Sequence, residues 1–282
     1  MQGKIIKNIS NDYTVQTKTN EVFVCKCRGK FRNMKLIPLV GDDVIFDEKN
    51  HYILEILPRK NELKRPPVSN ISQVVILTSV KHPNFSSHLL DKLITVIEYN
   101  RIEPIICFTK LDLLEENELD EIKEIMKYYQ KIGYQVFDNT QLDSIKTLFK
   151  DKITVFTGQS GAGKSTLINR LDKNLQLKTS EISLALGRGK HTTRHVELID
   201  LFGGFVADTP GFSALSFAQM KKEDIRDNMI EFNRYKDKCK YKDCMHIKED
   251  ECEVKRMVEA GEILKSRYDN YVKFINELKE KY

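Results

Sequence analysis

The stretch Gly158-Gln159-Ser160-Gly161-Ala162-Gly163-Lys164-Ser165 has the spacing G-x-x-x-x-G-K-[ST] of a phosphate-binding loop. Glycines at those positions let backbone N–H groups converge on an anion, and a helix opening at the end of the loop adds the positive end of its dipole. Lys164 is placed to reach β- and γ-phosphates and Ser165 to hold Mg²⁺; the expected contact segment runs through Thr166. A second group is Thr109-Lys110-Leu111-Asp112. A carboxylate at Asp112 accepts both N1–H and N2–H₂ of guanine, a donor pair that adenine lacks, while the stem of Lys110 lies along the base plane. Asp208-Thr209-Pro210-Gly211 fits a D-x-x-G loop, with Asp208 approaching Mg²⁺ through water and the Gly211 N–H sensing the γ-phosphate. Before it, the glycine-rich basic segment Gly187–Thr193 offers Thr193, in preference to Thr192, as a hydroxyl for Mg²⁺. These residues predict a site for Mg²⁺ and GTP.

A separate cluster, Cys239-x₄-Cys244-x-His246-x₅-Cys252, places three thiols and one imidazole within fourteen residues. Soft sulfur ligands with one nitrogen suit tetrahedral Zn²⁺, and four protein ligands make a closed structural site, one ion per chain. Lys236, Lys238, Lys240 and Lys242 would offset the negative charge of three thiolates. With Arg234 and Tyr235 they either touch RNA phosphates or form a solvated face. Cys25, Cys27 and Cys107 lie in strand-like runs and read as buried thiols, and a disulfide framework is not expected.

The elements that must hold these groups follow from the pattern. Lys4–Ile9, Tyr13–Gln16, Val22–Lys26, Asp43–Phe46 and Tyr52–Ile56 alternate partly and are separated by turns, which suits a small β-barrel such as the OB-fold. Arg28, Lys30, Arg32 and Lys35 around Phe31 read either as a basic loop with one stacking ring or as a solvated hairpin tip. Pro58 to Asn70, with Arg59, Lys60, Lys64, Arg65 and Pro66-Pro67, reads as a stiff basic linker. Beyond it, strands Gln73–Ser79, Ile102–Phe108, Tyr134–Phe137 and Ile153–Thr157 alternate with helices Ser86–Tyr99 and Glu116–Ile132, the latter ended by Gly133. The phosphate-loop helix Ser165–Leu171 and the hairpin Val196–Ala207 complete a parallel sheet covered by helices, with ligands at the strand C-terminal ends. From Phe217 the chain is charged and helical, ending in a helix-like run from Cys252 to Tyr282. The expected domains are 1–62, 63–216 and 217–282.

At 282 residues, 40% hydrophobic and 31% charged, the composition is that of a globular protein with real cores. No apolar run approaches the roughly 18 residues a membrane span needs, and there is no signal-peptide pattern, so a cytoplasmic location without membrane contact is expected. A net charge of +5 permits nucleic-acid contact without requiring it. The base-selecting motif precedes the phosphate loop and D-x-x-G, the reverse of the ordinary GTPase order, so the nucleotide domain reads as circularly permuted. The D-x-x-G switch then leads straight into the C-terminal segment. Phe212 stands where many GTPases place a water-orienting glutamine, so slow intrinsic hydrolysis that needs a partner is expected.

These motifs closely resemble one family, the ribosome small-subunit-dependent GTPases of bacteria (the RsgA family). The resemblance runs through Cys27–Arg32, Pro38–Asp42, Asn84-Phe-Ser86, Leu89-Leu-Asp91, Thr109–Asp112, Gly158–Thr166, Gly187–Thr193, Asp208–Phe212 and the Cys-Cys-His-Cys cluster. It implies an OB-fold, a permuted GTPase core and a zinc-containing helical domain, in a monomeric late assembly factor. That factor would bind 16S rRNA on the 30S subunit near its decoding region, with hydrolysis stimulated by 30S and release favoured by GDP. The resemblance also gives His191 a role in assisting hydrolysis, with a phosphate-proximal or rRNA-contacting side chain as the alternative. One departure is Asp138-Asn139-Thr140, where the family is usually rich in serine or alanine beside guanine. Two other functions compete: an RNA-binding assembly scaffold with GTP as a structural ligand, and a phosphoryl-transfer kinase. The kinase lacks an evident acceptor-activating base, and Asp112 disfavours it.

Overall fold

A computed structural model describes residues 1–27, 31, 36–64, 67–172, 196–208 and 216–279. The first strands are β1 (Gln2–Ile9), β2 (Asp12–Gln16), β3 (Val22–Cys27), β4 (Asp43–Asp47) and β5 (Tyr52–Ile56). They pair in the order β1-β2-β3-β5-β4, and β4 returns to β1, closing a five-stranded barrel. Only β3 and β5 run parallel. Period-two alternation explains the closure: Ile5, Val15, Cys25, Val44, Phe46 and Ile53 point inward at no more than 1% exposure.

The segment expected as a stiff basic linker is instead built onto the barrel. Strands β6 (Glu62–Lys64) and β7 (Pro67–Ser69) form a two-stranded hairpin. Arg59 grips the wholly buried carboxylate of Asp42 through Nε at 2.7 Å and Nη2 at 2.8 Å, and Ser69 Oγ donates to the same carboxylate at 2.6 Å. A carboxylate without water requires such partners, so Arg59 is a packing element rather than a free surface cation. Arg65 and Pro66 lie outside the described residues.

The central sheet contains β8 (Gln73–Ser79), β9 (Glu103–Thr109), β10 (Gln135–Asp138), β11 (Ile153–Gly158), β12 (Glu197–Leu201) and β13 (Gly204–Asp208). Its order is β10-β9-β8-β11-β13, all parallel, with β12 antiparallel at the edge. Helices α1 (Ser87–Tyr99), α2 (Glu116–Ile132), α3 (Leu142–Thr147) and α4 (Lys164–Leu171) cover it. The strands are apolar on both faces because both are covered. Val74, Ile76, Ile106 and Val155 share one core with Leu93, Ile94, Ile97 and Ile122, while Val75, Leu77, Ile105 and Phe156 share another with Ile145, Leu167, Ile168 and Leu171. Strand β12 also pairs with β1 at Glu197 and Lys7, so one sheet runs from the core into the barrel. Gly133, at φ +119°, ends α2 as expected. The short helix α3 was not anticipated.

The C-terminal part holds α5 (Lys222–Asp227), α6 (Glu253–Glu259) and α7 (Lys265–Lys279). The single helix-like run expected from Cys252 is therefore two helices. Gly261 turns the chain at φ +76°, and the N–H groups of Glu262 and Ile263 both bond Met257 O, at 2.9 and 3.1 Å. This break folds Ile263 into a core with Phe217, Phe232, Val254, Tyr271 and Phe274. Among the described residues no helix is long and apolar enough to cross a membrane.

Candidate functional site

The phosphate loop joins β11 to α4 at the C-terminal edge of the parallel sheet. Glycine is required at 158, where a Cβ would lie 2.1 Å from the Leu77 carbonyl of β8. Gly163 sits at the N-cap of α4 with φ +91°, a conformation that L side chains rarely adopt. Gln159, Ser160 and Gly161 form the turn between, and the Ala162 N–H closes it on Gln159 O at 3.1 Å. Lys164 Nζ folds back onto the loop, 3.2 Å from Gly158 O and 3.4 Å from Gln159 O, and burial pushes its pKa down. Ser165 is buried in the first turn of α4, and Thr166 is exposed beside it.

The second motif comes to the same edge. Thr109 ends β9, and its hydroxyl donates to Ala162 O at 2.8 Å. Lys110 turns the chain at φ +65° into a short 3-10 turn, Leu111–Leu113, whose Asp112 is exposed. Leu111 packs against the core. Two further contacts had no signal in the motifs. Lys110 Nζ bonds the backbone carbonyl of His82, and Pro83 Cδ lies 3.7 Å from where a Cβ on Gly161 would be. The loop after β8 thus forms a third wall. A fourth is Asp138-Asn139-Thr140: the Asn139 N–H bonds Phe108 O at 3.0 Å, and Asp138 takes the Thr140 N–H at 2.8 Å. That carboxylate is turned onto its own loop.

Asp208 ends β13, the neighbour of β11 in the sheet. Gly187–Thr193 with His191, Thr192 and Thr193, the loop Thr209–Gly211 with Phe212, and the basic residues Arg28, Lys30, Arg32 and Lys35 lie outside the described residues.

Cys239, Cys244, His246 and Cys252 converge, their ligand atoms all within 4.8 Å of one another. His246 Nδ1 is 3.3 Å from Cys252 Sγ and 3.6 Å from Cys239 Sγ, and the two sulfurs are 3.9 Å apart. These separations match the edges of a tetrahedron with metal–sulfur bonds of about 2.3 Å. Burial pushes the Cys244 thiol up to about 12 and His246 down to about 4, so the imidazole is neutral, as a ligand must be. Glu249 shapes the knuckle by accepting the N–H groups of Met245, Ile247 and Lys248 at 2.9–3.0 Å. The cluster can hold a metal ion.

A buried ionic network, absent from the sequence reading, joins this unit to the core. Arg267 on α7, fully buried, donates to Asp91 on α1 at 2.7 Å and to Glu231 at 2.5 and 2.8 Å. Asp91 also accepts from Tyr129 at 2.6 Å and Asn270 at 2.6 Å.

The family model described as "RsgA GTPase" matches residues 56–218, and that of the "RsgA N-terminal domain" matches residues 2–52. A protein of Enterococcus faecalis named "Small ribosomal subunit biogenesis GTPase RsgA" is 49% identical, over 100% of this chain and 96% of its own length. A protein of that name from Bacillus subtilis is 46% identical, over 99% and 98%. The crystal structure of YloQ, a circularly permuted GTPase, superposes with a TM-score of 0.86 at 40% identity, covering 100% of this chain and 96% of that one. YjeQ from Thermotoga maritima gives 0.84 at 35% identity, covering 98% of each. A barrel followed by a core whose base-side motif precedes its phosphate loop, matched end to end by these relatives, makes the chain a member of the RsgA family of circularly permuted GTPases.

Proposed function

We propose that this GTPase acts in assembly of the small ribosomal subunit, binding its rRNA and hydrolysing GTP when the 30S particle stimulates it. The observation that carries the reading is the Thr109–Ala162 bond, which ties the base-side motif to the phosphate loop at one sheet edge. The relatives, named for small ribosomal subunit biogenesis, supply the partner.

In this reading Gly158, Gln159, Ser160, Gly161, Ala162, Gly163 and Thr166 surround the phosphates, with backbone N–H groups of the loop converging on them. Lys164 exchanges its loop carbonyls for phosphate oxygens. Ser165 and Thr193 hold Mg²⁺, Asp208 approaches it through water, and the Gly211 N–H meets the γ-phosphate. Thr109, Lys110, Leu111 and Asp112 grip guanine, and His191 assists hydrolysis. Zn²⁺ on Cys239, Cys244, His246 and Cys252 supplies a structural cross-link. The domain division 1–62, 63–216 and 217–282 and a monomeric state belong to the same reading.

The test is GTP hydrolysis by purified protein, alone and with 30S subunits. Strong stimulation, absent with ATP, is the expected result. A slow rate that 30S leaves unchanged would replace the switch by a scaffold that keeps GTP bound.

A further inference from the structure

Strands β1 and β12 pair at Lys7 and Glu197 and part on the way to Gln2. The wedge between them, at the end of the sheet away from the phosphate loop, is a cleft of about 1180 Å³ between barrel and core. Its two walls carry opposite charge. Lys18 on the barrel turn and Lys60 on the connecting segment line one side, and Asp151 and Asp200 line the core side. Two other lining lysines are taken, Lys4 by Asp43 and Lys152 by Glu103. Lys18 and Lys60 pair with no carboxylate among the described residues.

A second observation points to a ligand. Gln16 lines the cleft at 8% exposure, and its Nε2 donates to Asn20 Oδ1 at 3.2 Å and Asp200 Oδ2 at 3.3 Å. Its Oε1 is buried without a partner. The amide cannot simply be reversed, since its oxygen would then face the Asp200 carboxylate. A buried acceptor left unmade costs free energy, and a turn of the Gln16 side chain into the cleft would bring its oxygen to a donor on a bound molecule.

We propose that this cleft binds a nucleoside phosphate. The N–H edge of the base meets the core-side carboxylates and, once its side chain turns toward the cleft, Gln16 Oε1, and the phosphate meets Lys18 and Lys60. A base with an exocyclic amino group and an anion on one molecule match the two walls, and Phe205 in the lining offers a ring for the base to stack on. The cleft is separate from the GTP site; only the choice of an RNA strand as one source rests on the function proposed above. The hairpin β12–β13 spans both places, with Glu197 and Asp208 at its open end and Gly203-Gly204 at the cleft.

The test uses the full chain saturated with GDP and a fluorescein-labelled single-stranded RNA decamer of cytidine, read by anisotropy. Lys18→Ala/Lys60→Ala should weaken binding about tenfold and flatten the salt dependence by about 1.4 log units per log unit. Both lysines are surface residues, and unchanged GDP affinity checks the fold. A decamer carrying 4-thiouridine should crosslink within Gln16–Val22 or Gly203–Phe205. Competition by CMP would identify a free nucleotide as the ligand, and its absence an RNA strand. Unchanged affinity and salt slope in the double variant, or adducts confined to other surfaces, would overturn the proposal. Failure of 30S to stimulate hydrolysis would remove the ribosomal reading and leave this result standing.

Discussion

The Thr109 hydroxyl donates to the Ala162 carbonyl at 2.8 Å, joining residues 53 apart in sequence that both have almost no access to water. Thr109→Val would leave that carbonyl buried and unpaired, at a cost of about 1–3 kcal/mol. GTP affinity should fall roughly tenfold, with Thr109→Ser restoring most of it. Titration with a fluorescent GTP analogue reads this directly, and equal affinity in wild type and Thr109→Val would remove the bond from the binding machinery.

Lys164 is the cation nearest the loop carbonyls, and burial already disfavours its charge in the absence of an anion. Phosphate oxygens would reverse that disfavour. Lys164→Ala should abolish measurable nucleotide binding, a loss of at least about a hundredfold for one charge-assisted contact set. Calorimetric titration with GDP is the check, and unchanged affinity would refute the assignment of the loop.

At the metal cluster, Cys244→Ser removes a buried sulfur whose neighbours stand at ligand spacing. The variant should lose zinc on dialysis and unfold its C-terminal unit at lower temperature, as removal of metal by a chelator should do in the wild type. Retention of one zinc per chain by the variant would count against the four-ligand assignment.

Glu98 gives a pH dependence. Burial, only partly opposed by the Tyr134 hydrogen bond, raises its carboxyl from the ordinary 4.5 to about 7. The folded state therefore holds the proton more tightly than the unfolded chain. This contribution is full below about pH 4.5 and is lost as pH rises through about 7, on the order of 3 kcal/mol in all. Glu98→Gln should match wild type in Tm at pH 5 and exceed it at pH 8. Parallel Tm curves across that range would show that Glu98 does not titrate there.

The nucleotide edge was legible because its signals are local. Val74-Val75-Ile76-Leu77 and Ile105-Ile106-Cys107-Phe108 are apolar on both faces, which only a doubly covered strand tolerates, and the loop glycines and cysteine spacings sit within a few residues of each other. What escaped was long-range or short. Arg59 and Arg267 look in sequence like any solvated cation, and only the fold brings Asp42 and Asp91 to them. The six residues of α3 are too few to show helical periodicity. In Pro58–Asn70 the prolines and charges masked a hairpin whose register is set by packing, with Val68 buried against the barrel.

Asp91 and Arg267 are separated by 176 residues. At about 5–20 residues per second, a ribosome making this chain needs roughly 10–35 s to travel from one to the other. Through that interval helix α1 carries a carboxylate that its final position would seal from water without a counter-charge. Until Arg267 has been made, full docking of α1 is opposed by the cost of that lone ion. The GTPase core of each new molecule is thus completed by a helix translated long after the one it seals.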